Sequence, residues 1–252
     1  MKVSVFITCL VDQLYPSVGL KMCETLERLG VEVAFNAAQT CCGQPAYNTG
    51  YREQAHEVAR ATLRLLAGEL ETSDFVVVPS GSCTAMIRKL YPTLFAASEE
   101  LRAESLRVGA RVLEYSEFLV DVLGVEDVGA SFQGRVTYHS SCHLLRELGV
   151  GAQPRKLIAA VRGCEFVEAE GADVCCGFGG TFALKYPDIS AAIAEEKAGG
   201  IERSGAGTVV TCDVGCLMQT AGMLSRRGSE VRCLHLAELL AARTQDGAEP
   251  NA

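Results

Sequence analysis

The chain has 252 residues, of which 48% are hydrophobic and 21% charged, a balance that supports a packed core and excludes disorder. A formal net charge of −8 argues against a nucleic-acid partner, which would require a basic face, and no run of about 20 apolar residues is available to insert into a bilayer. The chain also carries 12 cysteines, and in a reducing compartment so many thiols point to metal or redox chemistry rather than disulfides.

Lys2 to Thr8 reads as a first strand rather than a signal peptide, because the run ends at Cys9 and no small-residue cleavage site follows. The protein is accordingly expected in the cytoplasm. Pro16 to Leu29 reads as a helix, with Val18, Met22, Leu26 and Leu29 at helical spacing. VEVAF is a second strand, the triplet Cys41-Cys42-Gly43 follows it, and Arg52 to Leu70 is a second helix. FVVVP, apolar throughout as in a sheet covered on both faces, leads to Cys83, and RVLEY is the fourth strand.

The same order then returns. RVTYH precedes Cys142, EFVEA precedes Cys175-Cys176-Gly177, TVVTC leads through Cys212 to Cys216, and EVRCLH comes last. The step from Cys9 to Cys142 equals the step from Cys83 to Cys216, and the steps from Cys41 to Cys175 and from Cys42 to Cys176 are longer by a single position. VLEYSEFL (112–119) and CLHLAELL (233–240) close the two copies. The repeat implies gene duplication and two similar domains, 1–131 and 132–243, with a polar tail over 244–252 expected to fray. Strand–helix alternation predicts an α/β fold with a parallel sheet in each copy. In such sheets the loops at the carboxyl ends of the strands converge, so thiols far apart in sequence are expected to meet.

The second copy offers five candidate ligands: Cys142, Cys175, Cys176, Cys212 and Cys216. Zinc typically takes four ligands in two C-x-x-C pairs, whereas the side chains of adjacent cysteines diverge and suit a larger group with several metal atoms. An iron–sulfur cluster is such a group. Gly177 and Gly215 are read as permitting tight turns and offering N–H donors to sulfur. His139 and His143 flank Cys142 and are read as hydrogen-bonding neighbours of the thiols rather than direct ligands. The first copy supplies Cys9, Cys41, Cys42 and Cys83 as a possible second site, but Pro79, which has no ligand atom, stands where the second copy has Cys212. Cys23, Cys164 and Cys233 lie outside the repeat and read as core packing. His56 and His235 read as ordinary, and EEKAGGIERS as a solvated helix face. Gly177 to Gly180 lacks the full G-x-G-x-x-G spacing, so no flavin or nicotinamide site is expected.

The pattern Cys–x32–Cys-Cys-Gly–x34–Cys-x3-Cys from Cys142 to Cys216, with the phrases TCLVDQLYP, TCCGQPAYNTG, PSGSC, YHSSCHLLRELGV and CCGFGGTFALKYP, resembles the CCG cysteine-rich domain family. That family includes the B subunit of heterodisulfide reductase and the iron–sulfur subunit of glycolate oxidase. The resemblance implies a [4Fe-4S] cluster of the non-cubane type on the five cysteines of the second copy. It also implies an electron-transfer subunit of a multi-protein L-lactate-oxidising system, working beside a ferredoxin-like iron–sulfur protein and other subunits. Such a chain would be a non-autonomous part of an oxidoreductase. Two further classes stay open: a cluster-based thiol/disulfide oxidoreductase of the heterodisulfide reductase type, and a zinc-stabilised interaction module.

Overall fold

Short β-branched runs, each followed by a helix, produce two four-stranded sheets in the computed structural model, which describes residues 1–243. The polar tail expected to fray lies outside the described residues. The first sheet contains β1 (Lys2–Val5), β2 (Glu32–Phe35), β3 (Phe75–Val78) and β4 (Val112–Glu114), in the order β2-β1-β3-β4. The second contains β5 (Ser131–His139), β6 (Arg162–Phe166), β7 (Thr208–Thr211) and β8 (Arg232–His235), in the order β6-β5-β7-β8. All pairings are parallel, with Val3 opposite Val33 and Phe75, and Val136 opposite Phe166 and Thr208. The α/β fold with a duplicated parallel sheet is therefore the one the alternating pattern calls for.

In each sheet the chain winds outward from a central pair, β1/β3 or β5/β7, so the crossovers leave that pair in opposite directions. A crevice opens beyond the carboxyl ends of such a pair. Cys9 and Cys83 follow β1 and β3, and Cys142 and Cys216 follow β5 and β7.

Side-chain alternation along the strands sorts the apolar residues into layers. Val77 joins a central core with Val3 and Val5, while Val76 and Val78 face a second core with Phe6, Leu63 and Leu66. The central core also takes Val136, Tyr138 and Val210 from the second sheet, so both halves share it. Its helical walls are exchanged. Pro16–Arg28 of the first half lies against Leu236–Ala241 of the second, and Tyr115–Glu117 lies against Ala152–Ala159. Arg28 Nη2 fastens this seam by donating to the carbonyls of Val128 (3.3 Å) and Leu240 (3.1 Å).

The helices Pro16–Arg28 and Arg52–Glu69 end within a residue of the expected limits. β6 does not: it spans Arg162–Phe166 rather than the expected run beginning at Glu165. β5 reaches back to Ser131 and pairs that residue with Arg162 across a register shift, drawing the start of β6 earlier. The division expected between 131 and 132 thus falls at the first residue of β5.

The phrase that closes each half is a capping box, in which a side chain caps a helix and a glutamate three residues on returns the bond. Glu114 accepts from the Ser116 and Glu117 N–H groups, and His235 from Ala237 N–H, with Glu117 and Glu238 reciprocating. Glu114 is fully buried and its Oε1 has no hydrogen-bond partner. Burial pushes its carboxyl up to about 8 from 4.5, against the opposing pull of Ser116. The folded chain then holds one proton more than the unfolded chain between those values, so folding stability falls as pH rises through that window. A loss of up to about 1.4 kcal/mol per pH unit is expected between pH 5 and 8, and Glu114→Gln should flatten it. Urea midpoints of chelator-treated protein at several pH values check this; equal slopes for both proteins would contradict it.

Candidate metal centre

In the first half, four thiols from three loops form an unbroken row. Cys9 heads the helix Cys9–Leu14, Cys41 and Cys42 sit in the loop after β2, and Cys83 lies on the first turn after β3, in the helix Gly81–Ala85. Cys9 Sγ meets Cys41 Sγ at 3.6 Å, Cys41 contacts Cys42, and Cys42 Sγ meets Cys83 Sγ at 3.1 Å. Cys42 and Cys83 are buried, whereas Cys9 and Cys41 are half-buried and line a cleft of about 320 Å³ with Asp12, Gln13, Gln39 and Phe35. Thr62 Oγ1 donates to the Cys41 carbonyl (2.8 Å) and Tyr91 Oη to that of Cys42 (2.9 Å), pinning the loop.

The second half builds the same row. Cys142 contacts Cys175, Cys175 contacts Cys176, and Cys176 Sγ meets Cys216 Sγ at 3.3 Å. Again the first two of the row, Cys142 and Cys175, are half-buried and the last two, Cys176 and Cys216, are buried. The glycine of each triplet has a positive φ (+85° at Gly43, +87° at Gly177), which lets its N–H turn back onto the first sulfur. Gly43 N reaches Cys41 Sγ at 3.4 Å, and Gly177 N reaches Cys175 Sγ at 3.3 Å. These bonds favour thiolate at one position in each row. Cys175 is held far below the usual thiol range by Cys142 first, then Cys176 and the Gly177 N–H. Cys41 is lowered by Cys42 first, then Cys9, with the Gly43 N–H adding to them. Their sulfur neighbours are pushed up correspondingly. None of the 12 cysteines is in a disulfide.

Cys212 is not brought into the row. Val210, Cys212 and Val214 share one face of the extended segment leaving β7 and enter the central core, so the Cys212 thiol meets Tyr138 Oη at 3.5 Å. Burial raises this thiol, and the Glu114 charge adds to the rise. Gly215 also differs from expectation. Its N–H is taken by Asp213 Oδ1 (3.1 Å), and its missing side chain admits the Phe178 ring, 2.7 Å from where a Cβ would stand. His143 Nδ1 lies 3.7 Å from Cys142 Sγ. Cys23 and Cys164 pack against the central core, and Cys233 against a smaller one with Val209 and Leu224.

Two residues set the second site apart from the first. His139 is 1% exposed, neither ring nitrogen is hydrogen-bonded, and its ligand atoms lie within 4.8 Å of those of Cys176 and Cys216. Burial, reinforced by the Lys197 charge, drives its pKa down to about 3, leaving a neutral imidazole. The step that carries Cys9 onto Cys142 carries Phe6 onto His139, so the first half has a phenyl ring there. Lys197 is the second. It was expected on a solvated helix face, yet it is 4% exposed and donates to the carbonyls of Gly171 and Ala172. The helix carrying it turns its small residues Ala198, Gly199 and Gly200 inward, and a Cβ at Gly200 would stand 2.4 Å from the Glu170 carbonyl, so the close approach buries the neighbouring lysine too. Gly43 abuts the Ala55 carbonyl and Gly177 that of Ser190, and the step from Ala55 to Ser190 puts Thr62 in the position of Lys197.

The CCG family of cysteine-rich domains matches residues 3–88 and 136–220. The chain belongs to that family. The two CCG segments contain both thiol rows, His139, Lys197 and Asp213. Curated relatives include lactate utilization protein A of Geobacillus kaustophilus (strain HTA426), 49% identical over 96% of this chain and 100% of that protein. The lactate utilization protein A of Bacillus subtilis (strain 168) is 45% identical over the same shares. Among solved structures, an aspartate racemase homologue from Pyrococcus horikoshii OT3 covers 95% of each chain at 12% identity, but its TM-score of 0.32 carries no argument. No helix among the described residues of this CCG protein is long and apolar enough to cross a membrane.

Proposed function

We propose that the chain is an iron–sulfur electron-transfer subunit of a multi-protein lactate utilization system, acting in the cytoplasm beside a ferredoxin-like iron–sulfur partner. The observation that carries the reading is the second thiol row with the unpartnered His139 beside its buried end. A buried imidazole without a hydrogen bond is costly, and a group seated against Cys176 and Cys216 would satisfy it. The residues present fit a polynuclear thiolate-bound group. The ligand atoms of Cys176 and Cys216 group with His139 within 4.8 Å, whereas those of Cys142 and Cys175 do not join that group, so the row reaches further than the shell of one tetrahedral ion.

On this reading Cys142, Cys175, Cys176 and Cys216 hold the group, with His139 as a fifth donor or as a hydrogen-bond donor to sulfur. When bound, an iron–sulfur cluster stores and passes single electrons. The chain's own residues do the rest. Gly177 N–H stabilises thiolate at Cys175, the buried Lys197 cation faces the thiol row, and burial of Cys176 and Cys216 keeps water from the inner sulfurs. The half-buried Cys142 and Cys175 face the surface, where an electron partner would dock. Lactate utilization is carried over from the relatives' names, and catalysis on the hydroxy acid is assigned to partner subunits.

A second reading, thiol/disulfide chemistry at the first site, is favoured by the cleft that exposes Cys9 and Cys41 together. The first reading is tested by anaerobic purification. Iron and acid-labile sulfide in whole-number ratio to protein are expected, with visible absorbance that bleaches on reduction. A colourless zinc protein with no redox response would contradict it, and turnover of a small disulfide by the isolated chain would favour the second reading.

A further inference from the structure

The two thiol rows are joined by a single carboxylate. Asp213 caps the helix Val214–Arg226, which carries Cys216, through Oδ1 to the Gly215 N–H at 3.1 Å. Its other oxygen crosses to the first half and accepts from Ser82 N–H (2.9 Å) and Ser80 Oγ (3.1 Å). Ser80 Oγ in turn accepts from the N–H of Cys83 at 3.2 Å, so an unbroken hydrogen-bonded path runs from the backbone of one buried cysteine to the turn bearing the other. Ser80 and Asp213 are equivalent in the repeat, each three positions before its buried cysteine, and only the second half has the carboxylate. Asp213 is 6% exposed, and the junction around it is tightly packed. Gly81 N–H reaches the Cys212 carbonyl at 3.4 Å, and a Cβ on Gly81 would lie 2.5 Å from the side chain of Leu144, two residues beyond Cys142.

We infer that the two cysteine sites are thermodynamically coupled, with Asp213 as the positioning residue that bridges them. This rests on reading both rows as metal sites. Metal at Cys216 fixes the first turn of its helix and hence the Asp213 carboxylate. That fixes Ser80 and Ser82, and with them the turn carrying Cys83. The ordering is then done once for both sites, which makes the second binding event more favourable than the first. Coupling of this kind is reciprocal: each site must change the other's affinity by the same factor.

Co2+ serves as the probe, read by its thiolate charge-transfer absorbance on reduced, chelator-stripped protein. Cys176→Ser isolates the first site and Cys42→Ser the second, giving two single-site constants. For the intact chain, the overall two-ion constant is expected to exceed their product by about 5-fold or more. Asp213→Asn keeps only one acceptor oxygen and cannot serve both Gly215 and the Ser80–Ser82 pair, so the ratio should fall to about one in the same cycle. Ser80→Ala leaves the Asp213 cap on Gly215 and the Ser82 N–H contact intact but removes the branch that reaches the Cys83 N–H, so it should lower the ratio even if Asp213→Asn fails to fold. A purely structural role would weaken both sites and leave the ratio unchanged. A ratio of one in the intact chain, or one that survives both substitutions, would overturn the coupling. Absence of thiolate–cobalt absorbance in the intact chain would instead overturn the metal reading itself.

Discussion

Anaerobically prepared Cys176→Ser protein is expected to lose the whole metal complement of the second site, while Cys212→Ser keeps it. The two residues are equally hidden, at 3% and 0% exposure, so burial does not separate them. Their neighbours do. Cys176 stands inside the row, between Cys175 and Cys216, with His139 against it, so a serine there removes the central sulfur and leaves the imidazole still unpartnered. Cys212 is a core residue whose thiol meets a tyrosine hydroxyl, and a serine hydroxyl can make the same contact. Its cost is set by placing a slightly more polar atom in an apolar core, about 1 kcal/mol of stability. If both sites fill, Cys176→Ser should remove roughly half of the bound iron and sulfide. Equal losses in the two variants would mean that Cys212 turns toward the row when metal is bound.

Gly177→Ala is expected to destabilise the chain by about 3 kcal/mol or more, well beyond what its backbone angle alone demands. A non-glycine residue at φ +87° costs about 1–2 kcal/mol. Here a Cβ would also stand 2.7 Å from the Ser190 carbonyl oxygen and 3.2 Å from the Ile193 side chain. Neither can easily retreat, because Ser190 Oγ donates back to the Gly177 carbonyl at 2.9 Å and holds the loop on the helix Pro187–Arg203. Gly43→Ala should cost less, its nearest carbonyl being 3.2 Å away, and Gly180→Ala should show only the angular part, since nothing lies within 4 Å. Urea denaturation of chelator-treated proteins ranks the three without interference from metal. An order other than Gly177, Gly43, Gly180 would show that the loop relaxes.

The repeat made most of this architecture legible. Cys9, Cys41, Cys42 and Cys83 recur as Cys142, Cys175, Cys176 and Cys216 at a nearly constant step, each beyond a strand end. That locates both rows before any coordinates, because a parallel sheet gathers its carboxyl-end loops. Cys212 is less legible: it ends the strand run TVVTC and so reads as one of the strand-end thiols, but the period of two that continues from Val210 to Val214 turns it into the central core. His139 was visible beside Cys142, yet its distinctness lies in replacing Phe6 at a buried position where its ring nitrogens find no hydrogen bond. Lys197 was hidden by its charged surroundings, since nothing local shows that Gly199 and Gly200 pull that helix turn against the Glu170 loop. Asp213 could have been suspected as a helix cap, but its reach into the other half depends on a long-range juxtaposition that no single segment encodes.

The central claim is that the second row of four sulfurs is one metal site. Its most direct measurement is anomalous X-ray scattering at the iron edge, from crystals of anaerobically prepared protein. Iron density is expected within bonding distance of Cys176 and Cys216, with His139 turned toward it or toward its sulfur ligands, and none against Cys212. Iron seated away from both rows, or rows closed into disulfides while the iron lies elsewhere, would contradict it.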